Sequence, residues 1–459
     1  MDETIATLPP PVELRRQMAA PAKLPKRCSP AQAIAETVRP GMRVHIGGNA
    51  GEPKYLAEAL CAHAAKLKIK HPQDKIEVEQ LLTPTDRWFR PEVEKQISFV
   101  TEFLGPGSRQ AVNEGKGKFF RCFLHRVPSQ YKTGARLHPN VALVQVSVPN
   151  RAGCVNLGVN TGLECMAVRH ADVVIAEINP NMPAVYGADA VVPLSRIDYL
   201  VEAQEPYDLF AVNKEVTPRA KLIARHIAER IGDGHTLQSG IGGIPDCTFD
   251  LLHDRKGLRI WSETVSTGTV ALLESGAVSD VANVGFLLGN KKLYEFAREN
   301  PMFNFHCLSY INFPPRVGQI PKMTCINGAN VVDVVGHVCS AGVPGKVTYY
   351  SGIGGQHDFL FGAMMSEGGL PIIALESTVR KNGKDLASKI VASLTGPGVA
   401  VAETGNHPLW LATEYGMDYL GDMDDEERAF VVINKLAHPD YRDQLREEVA
   451  KCYPWGANL

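Results

Sequence analysis

The sequence predicts an α/β protein built as two related open α/β domains with mostly parallel sheets and a site in the cleft between them. Three observations predict it. Apolar, β-branched runs alternate with helical stretches along the chain, the pattern of parallel strands joined by crossover helices. The succession helix, strand, glycine turn, proline, helix occurs near the start of each half, a weak internal repeat. At 459 residues the chain is also too long for one ordinary core.

In the first half, Ser29–Pro30 reads as a helix N-cap followed by proline at the first helical position, opening a helix through AQAIAETV. The strand Met42–Ile46 enters the turn GGNAGEP, and a helix with apolar spacing at Tyr55, Leu56, Ala59 and Leu60 follows. In the second half, a helix over Pro218–Ile231 leads to the strand His235–Gln238. The turn SGIGGIPD (239–246) and a helix through Phe249, Leu251 and Leu252 come next. Further strands are expected at Lys75–Leu82, Val141–Val148, Val173–Ile178, Leu209–Val212, Leu258–Ser262, Val331–Val334, Lys346–Tyr350, Pro371–Leu375 and Val399–Ala402. Asp422–Arg428 and Tyr441–Lys451 read as exposed helix. The expected division is a polar lead-in over 1–28, a first domain over 29–210 and a second over 211–459, with the boundary inside Glu202–Val216.

Composition excludes several classes. A net charge of −2 supplies no basic field for nucleic acid or anionic lipid. No apolar run approaches the roughly 18 residues of a membrane helix, so no membrane partner is expected. The first residues lack an apolar signal core and read as a Pro-rich lead-in rather than an address. Ten cysteines are scattered singly without a Cys-x-x-Cys, which points to reduced thiols and a cytoplasmic location.

Two near-identical glycine turns, SGIGGIPD and SGIGGQHDF (351–359), invite a nucleotide reading. Both lack the third glycine of the dinucleotide fingerprint, and every Gly-Lys pair lacks the hydroxyl residue of a Walker loop. No Gly-x-Ser-x-Gly elbow and no His-Glu-x-x-His helix occurs, and no metal ligand is assigned. Alone, either turn is explained by tight strand–helix packing. Between them, however, stands Glu263 in GLRIWSETVSTG, at the carboxyl end of the strand Leu258–Ser262. Open sheets place ligands at that edge. Trp261 is expected to desolvate the carboxylate, raising its pKa and its nucleophilicity. Ser262, Thr264, Ser266 and Thr267 are expected to orient it. The bland alternative is a surface carboxylate at a strand end.

These residues resemble the acetyl-CoA hydrolase/transferase family of class I CoA-transferases, and within it the 4-hydroxybutyrate and butyrate CoA-transferases. The resemblance runs from about Pro30 to Leu445. It is carried by AVNEG (111–115), VALVQVSVPN (141–150), NPNMP (179–183), IDYLVE (197–202), SGIGGIPD, WSETVSTG, SGIGGQHDF, TEYG (413–416) and AHPDYRDQL (437–445). It implies that Glu263 forms a glutamyl–CoA thioester. It also implies that Gly240, Ile241, Gly242, Gly243 and Ile244 lie against CoA and the reacting carbonyl, and that Gly354, Gly355 and Gln356 line the CoA site. Asn327 matches an asparagine near the thioester by a looser alignment. Two departures bear on the acid substrate: Thr267 stands where relatives commonly have aspartate, and 151–171 carries an asparagine-rich variant at Asn156–Asn160.

The expected activity is therefore transfer of CoA from an acyl-CoA, such as acetyl-CoA or succinyl-CoA, to a small carboxylic acid. Coenzyme A is the co-substrate and no cofactor is bound permanently. Lys291–Lys292 or the group Arg380, Lys381 and Lys384 are expected to meet the CoA phosphates, and Asn49 and Arg109 the acid. Resemblance alone implies a homodimer or homotetramer. An acyl-CoA hydrolase using the same glutamate is the alternative, and a silent CoA- or nucleotide-binding sensor is a third reading that an intact Glu263 argues against.

Overall fold

A computed structural model describes residues 24–212, 216–345, 349–396 and 399–459. Two eight-stranded sheets dominate it. The first runs in the order Lys26–Arg27, Tyr199–Glu202, Val173–Ile178, Val141–Val146, Arg43–Ile46, Ile76–Glu79, Ile97–Thr101, Gly117–Phe119, and every pairing is parallel. The second runs Phe303–Phe305, Ala282–Leu287, Arg259–Val265, Thr236–Ser239, Met323–Gly328, Leu370–Ala374, Trp410–Thr413, Gly416–Tyr419. Only its last pairing is antiparallel.

The two sheets share one winding. In each, the first long strand (Arg43–Ile46 or Thr236–Ser239) is followed outward by three strands. The chain then returns to the other flank of that strand and continues outward in the opposite direction. The point of reversal opens a crevice at the strands' carboxyl ends. The turns Gly47–Gly51 and Gly240–Gly243, which the sequence places after those two strands, both sit at such a point. The expected repeat in pattern is thus a repeat in topology.

Local signals account for the helices nearest these turns. Ser29 Oγ accepts from Gln32 N and proline follows it, starting the helix Pro30–Thr37. Thr217 caps Pro218–Ala228 in the same way. The central strand Val141–Val146 is buried at every position, as a parallel strand covered on both faces must be.

Several expectations shift. The strand expected over Leu258–Ser262 runs from Arg259 to Val265, because its far end still pairs with Ala282–Leu287. Leu209–Val212 is not a strand; Val212 N instead donates to Gly289 O. Of Lys346–Tyr350, residues 346–348 lie outside the described residues, and Tyr349–Tyr350 are irregular. Lys26–Arg27, within the stretch read as lead-in, pairs with Tyr199 and Leu200. The helix after the first C-terminal glycine turn ends at Phe249, short of Leu251 and Leu252. No helix among the described residues is long and apolar enough to cross a membrane, and all ten cysteines are free thiols.

The halves interlock through apolar packing. Leu308 is fully buried, and its Cδ2 fills the space above both Gly162 of the first half and Gly285 of the second. One core joins Leu163, Met166 and Val168 to Phe286, Leu288 and Ile311. Leu308→Ala should destabilise the protein by about 2–5 kcal/mol through the cavity it leaves. Denaturant unfolding with an unchanged m-value checks this.

Candidate active site

Glu263 owes its position to an irregularity in its strand. Leu237 pairs with Ile260, but Ser239 pairs with Thr264, so Trp261–Glu263 bulge away from the neighbouring strand. Bulges re-aim side chains. Ser262 Oγ spans the gap, accepting from Ser239 N at 3.3 Å and donating to Thr264 O at 2.6 Å. Glu263 then lines a cleft of about 680 Å³ between the halves.

Two neighbours define the carboxylate's surroundings. Asn312 Nδ2, just past the short helix Leu308–Ile311, donates to Glu263 Oε2. From the other side comes the turn before the helix Gln356–Met365. A Cβ on Gly355 would run into Oε2 and into Asn312 Nδ2, so only glycine fits there. The residue keeps some exposure through the cleft mouth, while protein packs around its carboxyl. Burial pushes that carboxyl up to about 8 from the usual 4.5. The Asn312 hydrogen bond pulls the other way, and the Asp358 charge adds a smaller push upward. Asp358 is itself buried, held by His125 through backbone N–H and Nδ1 at 3.0 and 2.7 Å.

The expected roles around the glutamate are redistributed. Trp261 donates Nε1–H to Ile311 O at 2.8 Å and stacks on His306, so it pins the segment that carries Asn312. Three of the four hydroxyls expected to orient the carboxylate are engaged elsewhere, and the fourth, Thr264 Oγ1, is buried without a hydrogen-bond partner among the described residues. Ser262 spans the bulge, Ser266 donates to Asp246, and Thr267 Oγ1 accepts from Asn290 N at 3.0 Å. Asn312 performs that task. It is 49 positions downstream, and no local pattern in the sequence marks it.

Gly240, Ile241, Asn327, Gly354, Gly355, Gln356, Asn49 and Arg109 all line the same cleft as Glu263. Gly242, Gly243 and Ile244 do not; they line an adjoining cavity of about 440 Å³ that shares Gly240, Ile241 and Asn327 with the first. Asn327 is fixed by Gln238, whose Oε1 accepts from its Nδ2 at 2.9 Å. Gln356 Nε2 is buried without a hydrogen-bond partner among the described residues. Asn49 adopts a positive φ of 50°, and its turn is braced by Asn160 Nδ2 donating to Gly48 O at 2.8 Å and by Glu164 Oε1 accepting from Gly48 N at 3.2 Å. The asparagine-rich variant thus supports the cleft wall from behind. Arg109 Nε donates to Tyr350 O at 2.6 Å, with the guanidinium 4.3 Å over the Tyr350 ring, tying the halves together across the cleft.

Of the basic residues, Arg380 lines the adjoining cavity, together with Lys389, which sequence reasoning missed. Lys381, Lys384, Lys291 and Lys292 line neither cavity, and the last two pair with Glu295 and Glu274. Burial lowers the Lys389 pKa, while Glu376 and Glu414 counteract it.

Comparison with known proteins identifies the family. Residues 13–209 match the acetyl-CoA hydrolase/transferase N-terminal domain, and residues 289–449 match the C-terminal domain of the same family. A 4-hydroxybutyrate coenzyme A transferase from Clostridium kluyveri is 35% identical over 92% of this chain and 96% of its own length. A succinyl-CoA:cyclohexane-1-carboxylate CoA transferase from Geobacter metallireducens is 32% identical over 92% and 94%. The crystal structure of a 4-hydroxybutyrate CoA-transferase from Porphyromonas gingivalis superposes with a TM-score of 0.75 at 28% identity, covering 96% of this chain and all of the other. With both halves of the chain matched and relatives aligned over nearly its whole length, the chain belongs to the acetyl-CoA hydrolase/transferase family and is an enzyme of that family.

Proposed function

We propose that this enzyme moves CoA from an acyl-CoA to a small carboxylic acid by a ping-pong mechanism through a glutamyl–CoA thioester on Glu263. The observation that carries the proposal is a desolvated carboxylate aimed into an interdomain cleft, with one glycine turn from the neighbouring strand end and another at the start of the helix Gln356–Met365 beside it. A carboxylate held this way has few solvent partners to shed before attacking a carbonyl.

The chemistry needs no other nucleophile from the protein. The Glu263 carboxylate attacks the acyl-CoA carbonyl, expelling CoA thiolate and leaving an acyl–glutamyl anhydride. The thiolate attacks the glutamyl carbonyl, forming glutamyl–CoA and releasing the first acid as its carboxylate. A second acid reverses both steps and leaves with CoA. Holding the thiolate beside the anhydride supplies much of the rate. Backbone N–H groups of Gly242 and Gly243 and the Gln356 amide, whose Nε2 is unpartnered among the described residues, are the proposed donors to the developing oxyanions. CoA serves as co-substrate and is not retained.

The two cavities divide the work. CoA is placed along the smaller one, where Arg380 and Lys389 meet its phosphates and the anion offsets the burial of the lysine. The acyl group and the acceptor acid occupy the larger one, whose far wall comes from the first domain (29–210) through Asn49 and Arg109. The second domain (211–459) carries Glu263 and the CoA side.

Glu263→Gln should lower kcat by at least about a thousandfold, since a neutral amide replaces the attacking carboxylate. Incubation of the parent enzyme with acyl-CoA, followed by borohydride, should reduce the thioester and mark Glu263 by mass spectrometry. A panel of acids offered with acetyl-CoA then reads out acceptor range. New thioesters support transfer, while thiol release indifferent to every acid would assign hydrolysis instead.

Gly242 offers a separate test. A Cβ there would meet only Pro245 Cδ at 3.6 Å, so the protein itself leaves room for alanine. Gly242→Ala should fold with unchanged melting temperature yet cut kcat/KM for acyl-CoA by about 100-fold if the reacting carbonyl approaches this backbone. Unchanged kinetics would place the carbonyl elsewhere.

A raised pKa has a defined signature in pH. The folded carboxyl holds its proton up to about 8, whereas the unfolded one releases it near 4.5. Its stabilising contribution is therefore full below the unfolded value and is lost as pH rises through the folded one. Over that window the parent should lose stability relative to Glu263→Gln, as measured by urea melts. In the free enzyme, kcat/KM should rise toward a plateau above the same upper pH, because only the ionised carboxylate attacks.

A further inference from the structure

Apart from the cleft, one side chain from the first turn of the helix Gln356–Met365 meets two from the end of the strand Val401–Glu403 and the loop after it. They are His357, Glu403 and His407, and none of them lines the Glu263 cleft. The Glu403 carboxylate is fully buried. His357 Nδ1 lies 3.1 Å from its Oε2, and His407 Nδ1 lies 2.8 Å from the same oxygen.

This is a poor hydrogen-bonded cluster. A carboxylate flanked by two imidazoles is best satisfied by one N–H on each oxygen. Here both rings turn to one oxygen, and Oε1 is buried with no partner among the described residues. His407 Nδ1 also has no aligned hydrogen bond, despite its short approach. It is a better cluster of metal ligands. One donor atom from each residue lies within 4.8 Å of the others, and two ligands at about 2.1 Å from a tetrahedral zinc ion stand about 3.4 Å apart. A modest contraction of the two rings toward the carboxylate would close the site.

We propose that His357, Glu403 and His407 bind a divalent transition-metal ion of the zinc class, through two neutral imidazoles and one carboxylate, with a remaining position for water. Imidazole nitrogen selects against magnesium and calcium, which favour all-oxygen shells. Both imidazoles are 21% exposed, which gives the ion a route from solvent to the buried carboxylate. The ring of Phe123, from the first half, stacks on His357 at 4.8 Å and supports its orientation. The site's consequence follows from chain position. His357 is adjacent to Gln356 and follows the Gly354–Gly355 turn, so a bound ion ties the base of that turn to the strand Val401–Glu403 and the loop carrying His407. The ion acts as a brace on the wall of the cleft and takes no part in the transfer chemistry.

The test titrates chelator-treated, full-length enzyme with zinc chloride by calorimetry and with cobalt(II) by visible absorption, alongside His407→Gln and Glu403→Gln. The expected result is one equivalent of zinc per chain, a melting temperature raised by zinc and not by magnesium, and a cobalt spectrum with nitrogen ligation. In either variant, affinity should fall at least about 100-fold, beyond the usual effect of losing an outer partner. Zinc binding of equal strength in parent and His407→Gln would place the ion elsewhere and overturn the proposal, as would the absence of stoichiometric binding in the parent. Should Glu403→Gln fail to fold, the cobalt spectrum of His407→Gln decides alone. All these readouts are independent of catalytic activity, so failure here leaves the transfer mechanism untouched.

Discussion

The contact on which the rest depends is the approach of the Gly354–Gly355 backbone to the Glu263 carboxylate, with Asn312 closing the remaining side. An acid taken out of water strongly favours its proton, and one hydrogen bond only partly offsets that preference. The fold must therefore hold three separate segments in place against an unfavourable charge. It does so with rigid parts. The bulge fixes the glutamate, Trp261 pins the asparagine segment, and the turn is backed by Phe103 and Glu102 of the other half. The apolar seam around Leu308 keeps those parts in register.

What was legible in the sequence was local. Glycine turns after β-branched runs, proline at helix starts and an acid at the end of an apolar strand are all signals within a dozen residues. They located Glu263, both turns and the framework of each half. What was not legible depends on partners far along the chain. Nothing in PKMTCINGAN states that Asn327 will be held by Gln238, and nothing around Lys389 states that it will line one cavity with Arg380. Strand limits failed for a related reason: Val265 stays in the sheet because of Leu287, not because of its own neighbours. The short strands Phe303–Phe305 and Gly416–Tyr419 form at sheet edges, where one partner suffices and sequence patterning is weak.

The departure at position 267 also has a physical account. Thr267 packs against Gly289 and accepts from Asn290 N, on the side of its strand end away from the cleft lining. An aspartate oxygen could accept the same N–H. The exchange of side chains there concerns how one loop is anchored, and it leaves the surroundings of the carboxylate alone. The variant stretch at Asn156–Asn160 reaches further, because Asn160 supports the turn bearing Asn49.

The shared winding of the two sheets carries a consequence for how such a protein changes over time. Glu263 lies on a strand of one sheet and its neighbours Asn312 and Gly355 come from that sheet's connections, while Asn49 and Arg109 come from the other's. Substitutions can therefore accumulate on the wall bearing Asn49 and Arg109 without disturbing the strand geometry that places the Glu263 carboxylate. Under the proposed mechanism, a gene duplicate of this chain adopts a new acid by drift in a few loop positions while the strand that carries Glu263 stays as it is.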